Sequence, residues 1–371
     1  MYDCYRVPED IAVRVDAQAM RATVFGIFRA LGAPAEDAGH CADCLIYADL
    51  RGIESHGISN MMRWYVKGLK DGRLNPAPQC SIVREAPGAA TLDGDKGVGL
   101  AVGPRAMQLA IDKAKQTGMG AVSVTNSWHV GAVGYHASLA LEHDMIGFAM
   151  TAAGIYTPPT FGAKPLLGTN PIAVAVPTAD EAPFVYDAST TSVAMNKVVL
   201  TQKHGQQVPA GWIAEMDGTP IMEPSNLPEE FLLLPLGATR EIGSHKGYGL
   251  SVVVEILGTM LSGNAPRFEN PHDYFHHFMA YRIDAFTDVA AFKTNVDSYL
   301  RALRESPPAP GHDRVYYAGL PEHERKQDNL ARGIPYHPDV VAWHRETAEE
   351  LGVEHELPPA PRNESESFDE A

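Results

Sequence analysis

Gly97-Val98-Gly99-Leu100-Ala101-Val102-Gly103 is the stretch on which the fold turns. It follows a strand-like run, Ala89–Leu92, and precedes a helix-like run, Pro104–Gln116, where a dinucleotide fingerprint would sit. The third glycine of that fingerprint falls one residue late. The fingerprint also requires an acid about 20 residues on, at the end of the next strand, to hold the ribose hydroxyls. The next strand, Ala121–Val124, runs out as Val124-Thr125-Asn126-Ser127, with no acid. The stretch therefore reads as a turn and a helix packed closely on a sheet. A nucleotide bound by this chain is not bound in the Rossmann manner.

Outward from this point, strands and helices alternate. Ala132–Glu142 reads as a helix, and Ile146–Thr151, Ile172–Val176 and Phe184–Tyr186 as strands. Val208–Leu236 is Pro/Gly-rich and reads as a surface wrap. Lys246–Leu261 is almost wholly apolar and reads as a buried helix. His277–Ile283 reads as a strand, and Ala285–Arg304, Glu322–Arg332 and Pro338–Leu351 as helices. At the other end, Asp16 caps a helix to Leu31, stopped by Gly32, and Pro34 opens another to Leu50. A third helix spans Ser59–Lys70. Alternation in the middle with helices at both ends predicts an α/β or α+β core with a helical lobe.

Composition narrows the function. The 371 residues carry a formal net charge of −16, which disfavours a protein that works by neutralising phosphates, so no nucleic-acid partner is expected. No apolar run approaches the ~18 residues of a membrane span, and MYDCYRVPEDIAVRVD lacks the apolar core of a signal peptide. Four cysteines in a chain of this length make no disulfide framework. The expectation is a reduced, cytoplasmic protein. Residues 354–371 are acid-rich with little to bury, and are expected to be a mobile tail. No metal site is expected. His40-Cys41-Ala42-Asp43-Cys44 has no second Cys pair to complete a zinc site, and Cys41, Cys44 and Ala48 share a helical face suited to burial. His272 and His276 lack a third ligand and read as a surface or interface pair.

Four segments place polar, turn-forming residues inside apolar runs, where polar groups must find partners. Glu54-Ser55-His56-Gly57 offers a general acid/base held by its neighbouring serine. Asn126-Ser127-Trp128-His129-Val130-Gly131 runs from a strand end into a helix start, whose free N–H groups favour a phosphate. His136 and His143, on the same helical face as His129, read as solvated. Gly168-Thr169-Asn170-Pro171 is followed by Asp187 at the end of an apolar strand, placed to orient a histidine or accept from a ribose. Gly243-Ser244-His245-Lys246-Gly247-Tyr248-Gly249 sets a lysine at a Gly-flanked helix start, suited to an anion.

In order and spacing, these segments resemble the malate/L-lactate dehydrogenase family of NAD(P)-dependent oxidoreductases. The resemblance is carried by Asp49-Leu-Arg-Gly-Ile-Glu-Ser-His-Gly57, Asn126-Ser-Trp-His-Val-Gly131, Gly168-Thr-Asn-Pro171, Asp187-Ala-Ser189, Lys246-Gly-Tyr-Gly-Leu250 and Tyr317-Ala-Gly-Leu-Pro-Glu322. It covers residues 15–352. It implies a non-Rossmann fold: a mostly antiparallel cofactor-binding sheet over residues 76–284, and a helical lobe over 1–75 packed with C-terminal helices over 285–352. The acidic tail at 353–371 lies beyond these. It further implies a homodimer that interconverts small 2-hydroxy and 2-oxo acids. Some relatives act instead on ureidoglycolate, sulfolactate or diketogulonate, and others reduce cyclic imino acids.

Carried over by motif, His56 is the implied proton donor/acceptor, with Ser55 and Asp187 as relay partners. In some relatives the histidine matching His129 takes that role. Thr169 is an implied substrate contact. His129, Val130, Gly131, Ala132, Val133, Asp187, Ala188, Ser189, Lys246, Gly319, Leu320 and Pro321 are implied cofactor contacts. Two departures stand out. Asn60 occupies the position, four beyond the histidine, where the family commonly has a carboxylate-binding Arg, and Arg63 is the nearby cation that could compensate. Ala318 and Leu320 replace the family's common Pro and Glu. NAD is expected over NADP, because no Arg cluster offers itself to a 2′-phosphate, although Lys164 or Lys197 could serve. The alternatives are a cyclic imine reductase on the same residues and a nucleotide-binding protein without turnover.

Overall fold

Caps written in the sequence start the helical lobe. In the computed structural model, which describes residues 6–203, 205–269 and 273–359, strand β1 (Val13–Val15) leads into Asp16. The Asp16 carboxylate accepts from the N–H groups of Gln18 and Ala19, both at 2.9 Å, and caps α1 (Ala17–Ala30). Helix α2 (Ala35–Leu50) follows Pro34, and a single 3-10 turn, Glu54–His56, leads into α3 (Ile58–Lys70). Met20, Val24 and Ile27 of α1 pack with Cys41, Leu45 and Tyr65 of the next two helices in one core.

The sheet domain is built from β2 (Ser81–Ala86), β3 (Ala89–Gly97), α4 (Gly99–Thr117), β4 (Met119–Ser127), α5 (Val133–Ser138), β5 (Met145–Ala152), β6 (Ile155–Thr157), β7 (Leu167–Gly168), β8 (Ile172–Val176) and β9 (Phe184–Ala188). Then come α6 (Met195–Lys203), β10 (Ile213–Ala214), β11 (Leu232–Leu233), α7 (Ser244–Val254), β12 (Tyr274–Arg282) and α8 (Val289–Arg304). The chain returns to the lobe through α9 (Leu320–Arg332), β13 (Ile334–Tyr336) and α10 (Pro338–Glu350). Seven strands form one sheet in the order β2-β3-β4-β12-β5-β8-β9. Only β3 and β4 run parallel; every other pair is antiparallel.

Helix α4 is the crossover of that single parallel pair, and the Gly97–Gly103 stretch opens it. A Cβ on Gly99 would lie 2.2 Å from the Trp128 carbonyl oxygen, and one on Gly103 would lie 2.5 Å from the His136 ring. These glycines let the helix press against backbone and ring. The helix starts at Gly99 rather than at Pro104, because Leu100, Ala101 and Val102 are buried between lobe and sheet. Pro104 costs it one internal hydrogen bond.

The structure corrects several sequence expectations. Lys246–Leu261 is not one buried helix: α7 gives way to a π-helical turn, Glu255–Met260. Only one side packs on the sheet, and Leu250, Val253, Ile256, Met260 and Leu261 are 41–57 % exposed. Val208–Leu236 is more than a wrap, since it pairs β10 with β11 and closes a small core of Val193, Val198, Val208, Trp212 and Leu233. Strand β2, exposed along its whole length, carries no alternation to announce it. Within 285–352, α9, β13 and α10 join the lobe, with β13 pairing with β1. Helix α8 instead packs on the sheet's edge, where Asp297 accepts from the N–H groups of Ala179 and Asp180 and Leu300 meets Phe184.

Nor is the whole of 353–371 a free tail: Leu357 is buried in the lobe core, and residues 360–371 lie outside the described residues. His136 is fully buried rather than solvated, bonded to the Val130 carbonyl at 2.7 Å. His276 is buried against Thr151, while His272 lies outside the described residues. Among the described residues no three His, Cys, Asp or Glu side chains gather as for a metal ion, and no helix is long and apolar enough to cross a membrane.

Candidate active site

The Ser55-His56 turn is fastened from beneath by Asp49. One carboxylate oxygen, Oδ2, accepts from the Ile58 N–H at 3.1 Å and the Tyr336 hydroxyl at 3.0 Å. Burial pushes this carboxyl up to about 8. A Cβ on Gly57 would fall 1.6 Å from Asp49 Oδ1, so the turn rests directly on the acid. Above it, buried Ser55 places its hydroxyl 2.9 Å from His56 Nδ1. The Ser55 carbonyl accepts from the side-chain amides of Asn196 on α6, at 2.8 Å, and Asn60, at 3.3 Å. Burial, and secondarily the charge of Lys197, lowers His56 to about 4, so the resting imidazole is neutral.

The second imidazole stacks on the first. His129 leaves the end of β4, and its ring lies 5.6 Å from that of His56 with an interplanar angle of 11°. Its Nδ1 accepts from the Gly131 N–H at 3.1 Å and stands 2.6 Å from the Tyr65 hydroxyl. Trp64 and Tyr274 meet the ring edge-on at 5.5 and 5.8 Å. Burial, and then the neighbouring histidines, hold His129 well below the usual histidine range. Among the described residues, the Nε2 atoms of His56 and His129 bond to no group and are not sealed from solvent.

Asp187, near the end of β9, borders the same region without touching His56. Its Oδ2 accepts from the Gly134 N–H at 2.7 Å, and burial raises its carboxyl to about 6. Of the expected relay, the Ser55–His56 contact is present, while Asp187 makes no hydrogen bond to His56 among the described residues. Ser55 already occupies Nδ1, and Asp187 is spent on the short helix α5. At the helix start expected to favour a phosphate, the Gly134 N–H donates to this carboxylate. Lys197 is the charge common to both groups, acting on His56 and on Asp187.

Thr169 joins this strand end, its carbonyl accepting the Thr190 N–H at 2.9 Å. Asn170, at φ +37°, fixes the turn by accepting from the Ala153 N–H and donating to Ser251 and Glu255, all at 2.9–3.2 Å. Ala188 pairs with Ile172, and the Ser189 hydroxyl donates to the Thr191 carbonyl.

The other expected contacts differ in what they leave exposed. The side chains of Val130, Ala132 and Val133 are buried, which leaves only their main chain to a ligand. Leu320 belongs to a core with Leu300 and Tyr317. Gly319, at φ +94°, lies so close on β9 that a Cβ would meet the Val185 nitrogen at 2.8 Å, and Pro321 starts α9 beside it. Lys246 stands exposed in the first turn of α7. Asn60 is turned to the Ser55 carbonyl, and Arg63 lies over the Trp343 ring at 5.3 Å. Sequence reasoning passed over Asp49, Tyr65 and Asn196, and considered Lys197 only for a phosphate. The polar pair Asn196-Lys197 amid Val193-Ala-Met and Val198-Val-Leu was a usable signal.

Residues 15–343 match the family model described as Malate/L-lactate dehydrogenase. The chain belongs to the malate/L-lactate dehydrogenase family. With that family it is a dehydrogenase, an oxidoreductase acting on the CH–OH group of hydroxy acids. The chain is 39 % identical to a malate dehydrogenase of Pyrococcus abyssi over 348 residues, covering 92 % of this chain and 96 % of that one. An L-sulfolactate dehydrogenase of Methanocaldococcus jannaschii is 34 % identical, over 89 % and 95 % of the two chains. The solved malate dehydrogenase of Pyrococcus horikoshii superposes with a TM-score of 0.85 at 36 % identity, covering 94 % of this chain and 98 % of that one.

Proposed function

We propose that this dehydrogenase interconverts a small 2-hydroxy acid of the malate type and its 2-oxo acid, with NAD as hydride carrier and His56 as acid/base. The observation that carries the reading is the Ser55–His56 pair: Nδ1 is held at 2.9 Å and Nε2 is left open beside a second open imidazole. The names of the malate and sulfolactate dehydrogenase relatives support the substrate class. A ureidoglycolate dehydrogenase of Escherichia coli, named for NAD(+), supports the cofactor.

The residues fit such a cofactor. Gly319 lies flush on β9, where a Cβ would strike the Val185 backbone, so the chain crosses this strand without a side chain in the way. Lys246 is the exposed cation suited to the diphosphate. The nicotinamide supplies the hydride chemistry. The chain supplies the rest. In oxidation neutral His56 takes the hydroxyl proton at Nε2, and in reduction it returns that proton to the carbonyl oxygen. The Ser55 hydroxyl accepts from Nδ1–H in both states, so the ring does not turn as it changes charge. Lys197, whose charge acts on both His56 and Asp187, is the cation assigned to the substrate carboxylate.

Absorbance at 340 nm, with NADH and a panel of 2-oxo acids and cyclic imines, tests the reading. A malate-type oxo acid should be turned over, and His56→Ala should lose at least ~100-fold in rate. Turnover of cyclic imines alone, or tight NADH binding with no turnover, overturns the substrate assignment. Full activity in His56→Ala overturns the acid/base.

A further inference from the structure

We infer that His129 acts as a neutral hydrogen-bond donor to the substrate oxygen, its ring locked with the proton on Nε2, and leaves proton transfer to His56. This rests on the hydroxy-acid reading above. The lock is geometric. The Gly131 N–H reaches Nδ1 at 3.1 Å and can only donate, so that nitrogen must present its lone pair. The amide is held in place because Gly131 is wedged: a Cβ there would meet Leu100 Cδ2 at 2.7 Å and Cys44 Sγ at 3.0 Å. The buried Tyr65 hydroxyl approaches the same nitrogen at 2.6 Å. A neutral imidazole whose Nδ1 accepts carries its proton on Nε2, the edge left open.

Protonating this ring would set an Nδ1–H against the Gly131 N–H. It would also place a charge where nothing balances it. The titratable groups facing it are His56, His136, His276, Tyr65 and Tyr274, with the Arg267 guanidinium beyond the Tyr274 ring. Among the described residues, no carboxylate faces it. Deprotonation to an imidazolate is still less accessible. His129 therefore neither takes nor gives up a proton near neutrality. His56 differs because its Nδ1 faces a hydroxyl, which accommodates imidazole and imidazolium alike.

The parallel rings thus divide the work. As the carbonyl carbon accepts hydride and the C=O π bond breaks, the oxygen gains its proton from His56 Nε2. From His129 Nε2–H it gains only a hydrogen bond, at the place where negative charge develops.

Long-range 1H–15N spectra of the full-length protein labelled with 15N-histidine test this without substrate, so failure here is separate from failure of the hydroxy-acid reading. The His129 signals, assigned by their loss in His129→Gln, should show protonated Nε2 and bare Nδ1, unchanged from about pH 5.5 to about 9. The opposite tautomer, or titration to imidazolium in that range, overturns the proposal. Should His129→Gln not fold, the displacement of the same signals in Tyr65→Phe assigns them. In kinetics, His129→Ala should lower kcat by about 100- to 1000-fold with its pH profile in place. His129→Gln, which keeps an amide donor, should recover part of that loss. A vanished acid limb in either variant overturns it.

Discussion

At the scale of single residues, Lys197 makes the site's charge logic testable. It follows Asn196, whose amide grips the Ser55 carbonyl, and its cation acts on both His56 and Asp187. Its charge lowers His56, so Lys197→Met should move the acid limb of kcat/KM for hydroxy-acid oxidation to higher pH. The limb itself should sit near pH 4, where His56 protonates and can no longer act as base. If Lys197 also receives the substrate carboxylate, KM should rise about 10- to 100-fold, the range of one charge-assisted hydrogen bond. An unmoved limb with an unchanged KM would remove Lys197 from the site. Sequence could propose His56 because its Ser-His-Gly turn matches a motif of the family the chain resembles; the turn alone, a common place for histidine, says little. It could not rank His56 against His129, because that turns on which backbone N–H meets which ring nitrogen.

At the scale of elements, the joint between α2 and α3 sets the position of His56. Asp49, in the last turn of α2, reaches across to cap the first N–H of α3, and Tyr336 of β13 clamps the same oxygen. Gly57 must lack a side chain here, since its Cβ would collide with the acid. Gly57→Ala should therefore cost about 1–3 kcal/mol in urea denaturation and lower kcat as well, by displacing the histidine. Wild-type stability and activity in that variant would show that the joint tolerates the extra atom. The element ends legible in sequence were those with local causes: the Asp16 cap, the Pro34 start, and the strand cores β5 and β8. Strand β13 and the edge strand β2 were not legible, because three residues pairing with β1, or a fully exposed strand, leave no periodicity. The bond that Asp187 makes was not legible for a related reason: its partner, the Gly134 N–H, is main chain and has no sequence signature.

At the scale of the whole molecule, two properties follow from where apolar and titratable groups lie. The outward face of α7 and the π-helical turn exposes Leu250, Val253, Ile256, Met260 and Leu261, an apolar stripe of the kind that marks an interface. We propose that this face is buried in a homodimer; Ile256→Lys should yield monomers by light scattering, and an unchanged mass would place the interface elsewhere. The second property is pH dependence of stability. Burial depresses His56, His136, His277 and His344 to about 4 and His276 to about 3, and holds His129 well below its usual range. Below about pH 6.5 the unfolded chain binds protons that these native histidines refuse, so each contributes a loss of stability as pH falls toward 4. Carboxyls raised by burial act with the opposite sign: Asp49, Glu54 and Asp187, to about 8, 7 and 6, and, less strongly, Asp37 and Glu255. They stay protonated in the native chain where the unfolded chain has ionised, so stability drains away as pH rises through those values. Between about pH 4 and 6.5 the histidines outnumber the carboxyls and stability climbs with pH. Above about 6.5 the histidines fall silent and Glu54 and Asp49 still pull it down. Urea midpoints should therefore peak near pH 6.5 and be lower at both pH 5 and pH 8.5. A midpoint that climbs steadily to pH 8.5 would mean that Asp49 is ionised under the Ser55-His56 turn at neutral pH, its charge held by Ile58 and Tyr336.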